Sequence, residues 1–206
     1  MNKSIVIFGK GKSLLRCSKE LVDEYEDIAI CNYPVLNNDF NKLIEGRVIK
    51  YHFANCRTFD DRYTDKVNEK LGIQHIINTN IETSTRYNNY IKNQTLFKEN
   101  IREYYEKYFK ENYNGLDPST GIMALQYFLD LNKYDKIMLC ELNSKMKYLI
   151  GQNIIKKQGE LNIVSGHNPD KTEDYLYDIV KKYNNIQFIF VSNMSPNNNY
   201  ENLQII

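Results

Sequence analysis

The chain has 206 residues, of which 42% are hydrophobic and 26% charged, and 27 basic residues against 26 acidic ones give a formal charge of +1. A charge this close to zero argues against a protein that binds nucleic acid mainly by neutralising phosphates, and the apolar fraction is too high for a disordered chain. No apolar run approaches the roughly 20 residues that span a bilayer, and residues 5–8 are too short for the core of a signal peptide. We therefore expect a single cytoplasmic domain over 1–206.

The first predicted elements are typical of a nucleotide-binding α/β domain. Residues 4–8 (SIVIF) form a continuous apolar run, GKGKS follows at 9–13, and a helical pattern begins at Leu14 and Leu15. Strand, glycine turn and helix is the usual opening of such domains. Further strands are predicted at 28–31, 47–53 and around 74–78. Because these runs show little alternation, they indicate strands that are buried on both faces and therefore parallel.

The second half of the chain continues this alternation after one segment of different character. Residues 80–114 are polar, rich in tyrosine and free of Gly and Pro, which predicts one or two surface helices that form a lid or insertion at about 80–115. An ordinary amphipathic helix is the alternative. A core helix over 117–129, a strand over 135–140, a helix over 172–183 and a strand over 186–191 follow. The pattern predicts a Rossmann-like, mostly parallel sheet with helices on both faces and a small helical lid.

The glycine turn fits neither of two common phosphate-binding motifs. A P-loop needs a leading glycine where Val6 stands, and a dinucleotide fingerprint needs a third Gly or Ala where Leu14 stands. Two glycines after a strand nevertheless let the backbone approach a ligand closely, and the start of the following helix favours an anion. The alternative is a tight turn that needs glycine only for its conformation.

Histidines and cysteines supply the remaining candidates for chemistry. His52 and His75 lie in or beside strand-like runs and are expected to be structural, whereas His167 lies in a Gly-His-Asn-Pro turn before a helix. A histidine there suits proton transfer near neutral pH, although it could also be a surface residue that only hydrogen-bonds locally. No D-x-D is present to bridge a metal to a nucleotide diphosphate. The four cysteines, Cys17, Cys31, Cys56 and Cys140, have no CxxC spacing. Cys31 and Cys140 lie in apolar strand-like runs and are expected to be reduced core residues.

Taken in order, these motifs resemble the sialyltransferases of glycosyltransferase family 42 and, more distantly, those of family 29. The family's opening turn, G-N-G-x-S-L, is matched by GKGKSL at 9–14, and its second strand ends in C-N, as in Cys31-Asn32. An Asn follows its third strand, here Asn55, and a Ser/Thr-Ser/Thr-Gly motif begins its central helix, here at 119–121. A strand like KIML at 136–139 and a histidine before a helix, here His167, complete the set.

The resemblance implies a Rossmann-like fold that binds a CMP-activated sugar and transfers the sugar with inversion to a hydroxyl acceptor such as a glycan. It implies no cofactor and no metal, and it implies that His167 is the general base. The residues implied to hold the donor are Gly9, Lys10, Gly11, Ser13, Asn32, Asn55, Ser119, Thr120, Gly121, Asn143 and Lys145.

The chain departs from the family at two positions that bear on the donor phosphate. Lys10 stands where the family has Asn, and CELNSK at 140–145 stands where the family has S-G-x-D-x-Y. The family's tyrosine that meets the leaving phosphate is thus replaced, and the two candidates for its role are Lys145, at the matching position, and Tyr148 nearby. Extra cations also suit tight retention of a nucleotide, so a non-catalytic nucleotide-binding or sequestering protein on the same fold is the alternative. A different nucleotide-handling enzyme, such as a hydrolase, is the third possible function.

Overall fold

Eight strands form one sheet in the part of the chain that the computed structural model describes. That part comprises residues 3–9, 16–32, 38–54, 71–79, 97–113, 116, 118–140, 169–192, 194 and 200–206. The strands are β1 (Ser4–Phe8), β2 (Asp27–Cys31), β3 (Tyr51–Ala54), β4 (His75–Asn78), β5 (Phe97–Asn100), β6 (Lys136–Cys140), β7 (Gln187–Phe190) and β8 (Leu203–Ile205). Their spatial order is β5-β4-β3-β2-β1-β6-β7-β8.

Every neighbouring pair of these strands is parallel, as the unbroken apolar runs predicted. At the centre, β1 pairs with β2 on one side and β6 on the other, so that Phe8 lies opposite Ile30 and Cys140. All five residues of β1 are buried. A strand in this position has helices over both faces, which is why its sequence lacks the alternation of a half-exposed strand.

Helices cover both faces of the sheet. They are α1 (Lys19–Asp23), α2 (Asn38–Leu43), α3 (Arg102–Tyr104), which continues into a π-helical segment (Tyr105–Lys110), α4 (Thr120–Leu131) and α5 (Pro169–Lys182). Residues of α1 and α2 pack with Val6 and Phe8 on one face, whereas α4, α5 and the π-helical segment pack with Ile5 and Ile7 on the other. Connections from β1 towards β3 and from β6 towards β7 run in opposite directions across the sheet. Right-handed crossovers therefore place their helices on opposite faces.

Helix α4 is the core of the second layer, and residues 121–129 are all buried. Phe128 makes edge-on ring contacts, with centroid distances of 5.1 Å to Tyr51 and 5.3 Å to Phe53. Beyond the helix, the Tyr134 hydroxyl donates to Asp27 Oδ2 at 2.5 Å, at the first residue of β2. The helix thus ends at the amino edge of the sheet, and its start lies towards the carboxyl edge.

The fold class predicted from sequence is confirmed, and four elements differ from the prediction. Residues 97–100 form β5 and pair with β4, although the sequence pattern predicted only helices between 80 and 114. Strand β8 and helix α2 were not predicted. The ladder of β3 begins at Tyr51 and not at Arg47, whose guanidinium instead donates to the carbonyls of Val22, Tyr25 and Glu26. A lid function for the 80–115 segment remains a prediction.

Two further expectations concern membranes and cysteines. Among the described residues, no helix has the length and apolar character needed to cross a bilayer. Cys17, Cys31 and Cys140 are buried and free, as expected for core cysteines, while Cys56 lies outside the described residues.

Phe128→Ala is expected to lower the free energy of unfolding by about 3–5 kcal/mol, because it removes a fully buried ring between α4 and the sheet. The matched control on the same helix is Leu131→Ala, where 43% of the side chain is exposed, and it should cost about 0.5 kcal/mol or less. Urea unfolding followed by circular dichroism measures both. Equal losses for the two variants would contradict the packing described for α4.

Candidate functional site

The topology of the sheet selects one place for a ligand. The first connections of the chain build the sheet from β1 towards β5, and the later ones build it from β6 towards β8, so the strand order reverses between β1 and β6. Open α/β sheets bind ligands outside the carboxyl ends of the strands at such a reversal. Gly9 follows β1 at this point, and its N–H donates to the Cys140 carbonyl at the end of β6 at 3.0 Å.

Asn32 joins the end of β2 to the start of α4. Its φ of 57° places it in the left-handed region, which Asn tolerates better than most residues. Its backbone N–H donates to the Phe53 carbonyl at 2.6 Å, and its Nδ2 donates to Thr120 Oγ1 at 3.0 Å. Because a hydroxyl that accepts one bond still carries its own hydrogen, Thr120 keeps a donor for a ligand.

The start of α4 presents backbone donors at the same edge. Ser119 is the N-cap, and its Oγ accepts from the N–H of Ile122 at 3.2 Å. The cap therefore uses the third amide of the helix, whereas the amides of Thr120 and Gly121 precede the first intrahelical bond. Together with the helix dipole, these two N–H groups favour an anion next to the Asn32 side chain.

Two residues at this edge were not singled out by the sequence motifs. Arg16 Nη1 donates to the Ser192 carbonyl at 2.8 Å, which places a cation beyond the end of β7. Thr79 follows β4, and its buried hydroxyl has no hydrogen-bond partner among the described residues, while its N–H donates to the Ala54 carbonyl at 3.0 Å. The available signal was positional, because Thr79 directly follows a strand and Arg16 comes shortly after the GKGKS motif.

The structure brings five of the predicted residues to the carboxyl side of the sheet: Gly9, Asn32, Ser119, Thr120 and Gly121. The other predicted site residues lie outside the described residues: Lys10, Gly11, Ser13, Asn55, Asn143, Lys145 and His167. Their roles therefore stay predictions. His52 is fully buried in β3 and His75 begins β4, at the opposite edge, in keeping with structural roles for both.

A concave feature lies elsewhere, between the π-helical segment, α4 and α5. It is a cavity of about 130 Å³ whose lining includes Tyr113, Gln126 and Tyr175. Its polar groups bond to each other, since the Tyr175 hydroxyl donates to Gln126 Oε1 at 2.8 Å and the Tyr113 hydroxyl donates to Asp178 Oδ2 at 2.9 Å. A ligand there would compete with existing hydrogen bonds, so the carboxyl edge is the better candidate.

The architecture is similar to that of a crystal structure of a mammalian sialyltransferase. The match has a TM-score of 0.54 at 14% sequence identity, and it covers 91% of this chain and 68% of the other. The chain has a sialyltransferase-like fold. No protein-family model matches the chain, and no curated protein matches it in sequence. At this level of identity the similarity establishes the fold, and the chemistry has to be argued from the residues.

The hydrogen bond between Asn32 and Thr120 is expected to contribute a coupling free energy of about 0.5–1.5 kcal/mol to stability. Asn32→Gly keeps the left-handed backbone accessible, and Thr120→Val removes the hydroxyl with little change in size. Unfolding measurements on the two single variants and the double variant give the coupling. Asn132→Gly, at a left-handed residue (φ 48°) at the other end of α4, is the control and should not couple to Thr120→Val. A coupling free energy of zero between Asn32→Gly and Thr120→Val would contradict a stabilising hydrogen bond between these residues at the site.

Proposed function

We propose that the chain is a metal-independent, inverting glycosyltransferase of the sialyltransferase type that uses a CMP-activated sugar. The observation that carries the proposal is the 3.0 Å bond between Asn32 and Thr120, which are 88 residues apart in the sequence. It joins the Cys-Asn motif and the Ser-Thr-Gly motif at the carboxyl edge, beside the reversal in strand order. The sialyltransferase-like fold supports the same proposed function.

The donor site is proposed to read a nucleotide mainly through neutral groups. Amide and hydroxyl side chains, such as those of Asn32, Asn55 and Thr120, can bond to ribose and base edges without a counter-ion. The N–H groups of Thr120 and Gly121 would meet the phosphate of the donor. Lys145 would add a positive charge where negative charge develops on the leaving phosphate.

In the proposed reaction, the acceptor hydroxyl attacks the anomeric carbon of the sugar from the side opposite the phosphate. A new carbon–oxygen bond forms as the bond to the phosphate breaks, so CMP leaves and the configuration inverts. His167 takes the proton of the hydroxyl during the attack. Such base assistance is worth roughly 10²–10⁴-fold in rate, which a weakly nucleophilic alcohol needs.

The second candidate is a protein that binds the nucleotide and does not transfer the sugar. It is favoured by Lys10 and Lys145, because cations in place of the neutral residues of the family motif suit retention of a phosphate. A screen of nucleotides and nucleotide sugars by thermal shift identifies the ligand, since a ligand at 100 times its Kd adds about 2.7 kcal/mol of stability. Incubation with a CMP-sugar then separates the candidates: a transferase releases CMP in the presence of a hydroxyl acceptor, and a binder returns the donor intact.

His167→Ala is expected to lower turnover by roughly 10²-fold or more, with little change in affinity for CMP, because the base acts on the acceptor and not on the donor. The rate of the unaltered chain should fall as the pH drops below the histidine pKa, ordinarily near 6.5, since a protonated imidazole cannot accept the proton. Steady-state kinetics across pH measure both effects.

The control for this variant is His75→Gln, which changes a histidine at the first residue of β4, at the opposite edge of the sheet from the site. It should retain the turnover and the pH profile. A His167→Ala chain that transfers sugar at the original rate would contradict the proposed mechanism. Another residue would then have to act as the general base.

A further inference from the structure

Two buried cysteine side chains meet on the face of the sheet that α1 and α2 cover. Cys17 Sγ lies 3.2 Å from Cys140 Sγ, although the residues are 123 positions apart in the sequence. Cys140 is the last residue of β6 and is fully buried, and Cys17 precedes α1 and is 9% exposed. The third described cysteine, Cys31, packs in the cluster on the opposite face.

This thiol pair lies next to the described residues at both ends of the segment 10–15. At one end, the N–H of Gly9 donates to the Cys140 carbonyl at 3.0 Å. At the other end, Arg16 is followed by Cys17, whose thiol contacts the Cys140 thiol. Cys140, the last residue of β6, therefore contacts Gly9 on one side of this segment and Cys17 on the other.

The two thiols differ in reactivity. The hydrogen bond with Cys140 lowers the pKa of Cys17, whereas burial raises the pKa of Cys140 well above its ordinary value. Cys17 therefore loses its proton first, and it is also the less buried of the two. Because a thiolate is the attacking species in thiol–disulfide exchange, Cys17 is the entry point for an oxidant.

We propose that Cys17 and Cys140 form a reversible disulfide that ties the residue before the N-cap of α1 to the end of β6. The Cys17 thiolate attacks a small disulfide such as oxidised glutathione, which forms a mixed disulfide and releases one glutathione thiolate. The Cys140 thiolate then attacks the Cys17 sulfur and releases the second glutathione thiolate. The protein loses two thiol protons and two electrons, and the small disulfide takes up both electrons. The sulfurs must approach by about 1 Å to reach the bonding distance of about 2.05 Å.

The test uses the full chain, reduced and then incubated with oxidised glutathione under native conditions. After acid quenching and alkylation, peptide mapping should find the peptides of Cys17 and Cys140 joined, with two hydrogen atoms fewer than the separate peptides. The oxidised chain should melt roughly 4–16 °C higher than the reduced one, because the bond closes a long loop in the unfolded chain. Dithiothreitol should reverse both changes.

Cys17→Ser should abolish the joined peptides and the shift in melting temperature. Cys31→Ala is the matched control, because it alters a buried cysteine at the end of β2, in the cluster on the other face of the sheet, and it should retain both. Formation of a mixed disulfide with glutathione that never resolves, pairing through Cys31 or Cys56, or linkage only after denaturation would each overturn the proposal. Peptide mapping of the unaltered chain decides the question even if a variant fails to fold.

Discussion

The contact between Asn32 and Thr120 determines how the layers meet at the candidate site. The bond spans the end of β2 and the first turn of α4, so it sets where that helix begins relative to the sheet. At the far end of the helix, the hydrogen bond from Tyr134 to Asp27 holds the amino edge of the same strand. Between these two points α4 is buried along most of its length. The free amides of its first turn are consequently fixed in place by packing and need no reorganisation to meet an anion.

The central strands could be predicted because their position leaves a signature in the sequence. Strands β1, β2 and β6 are buried on both faces, so they read as short apolar runs between polar segments. The strands at the two edges of the sheet, β5 and β8, have the sequences FKEN and LQI and lack such a run. An edge strand has only one neighbour and needs less apolar surface, so its pairing depends on long-range contacts that a local pattern does not contain.

At the candidate site, too, local sequence motifs could be predicted, whereas contacts between distant residues could not. The motifs that contain Asn32 and Thr120 could be found because they resemble motifs of a known family, but the bond between the two residues depends on the folded arrangement. The N-cap of α4 is also selected by the folded structure: it is Ser119, whose Oγ accepts from the amide of Ile122. The left-handed backbone of Asn32 and the pairing of Cys17 with Cys140 likewise arise from tertiary contacts and leave no trace in the spacing of residues.

The central claim is that the start of α4 and the end of β2 form the phosphate end of a nucleotide site. A crystal structure of the chain with CMP tests it most directly. The proposed arrangement predicts the phosphate oxygens within about 3 Å of the backbone nitrogens of Thr120 and Gly121, with Asn32 beside the nucleotide. A phosphate bound elsewhere on the chain, or no binding of CMP at concentrations that saturate a nucleotide site, would contradict it.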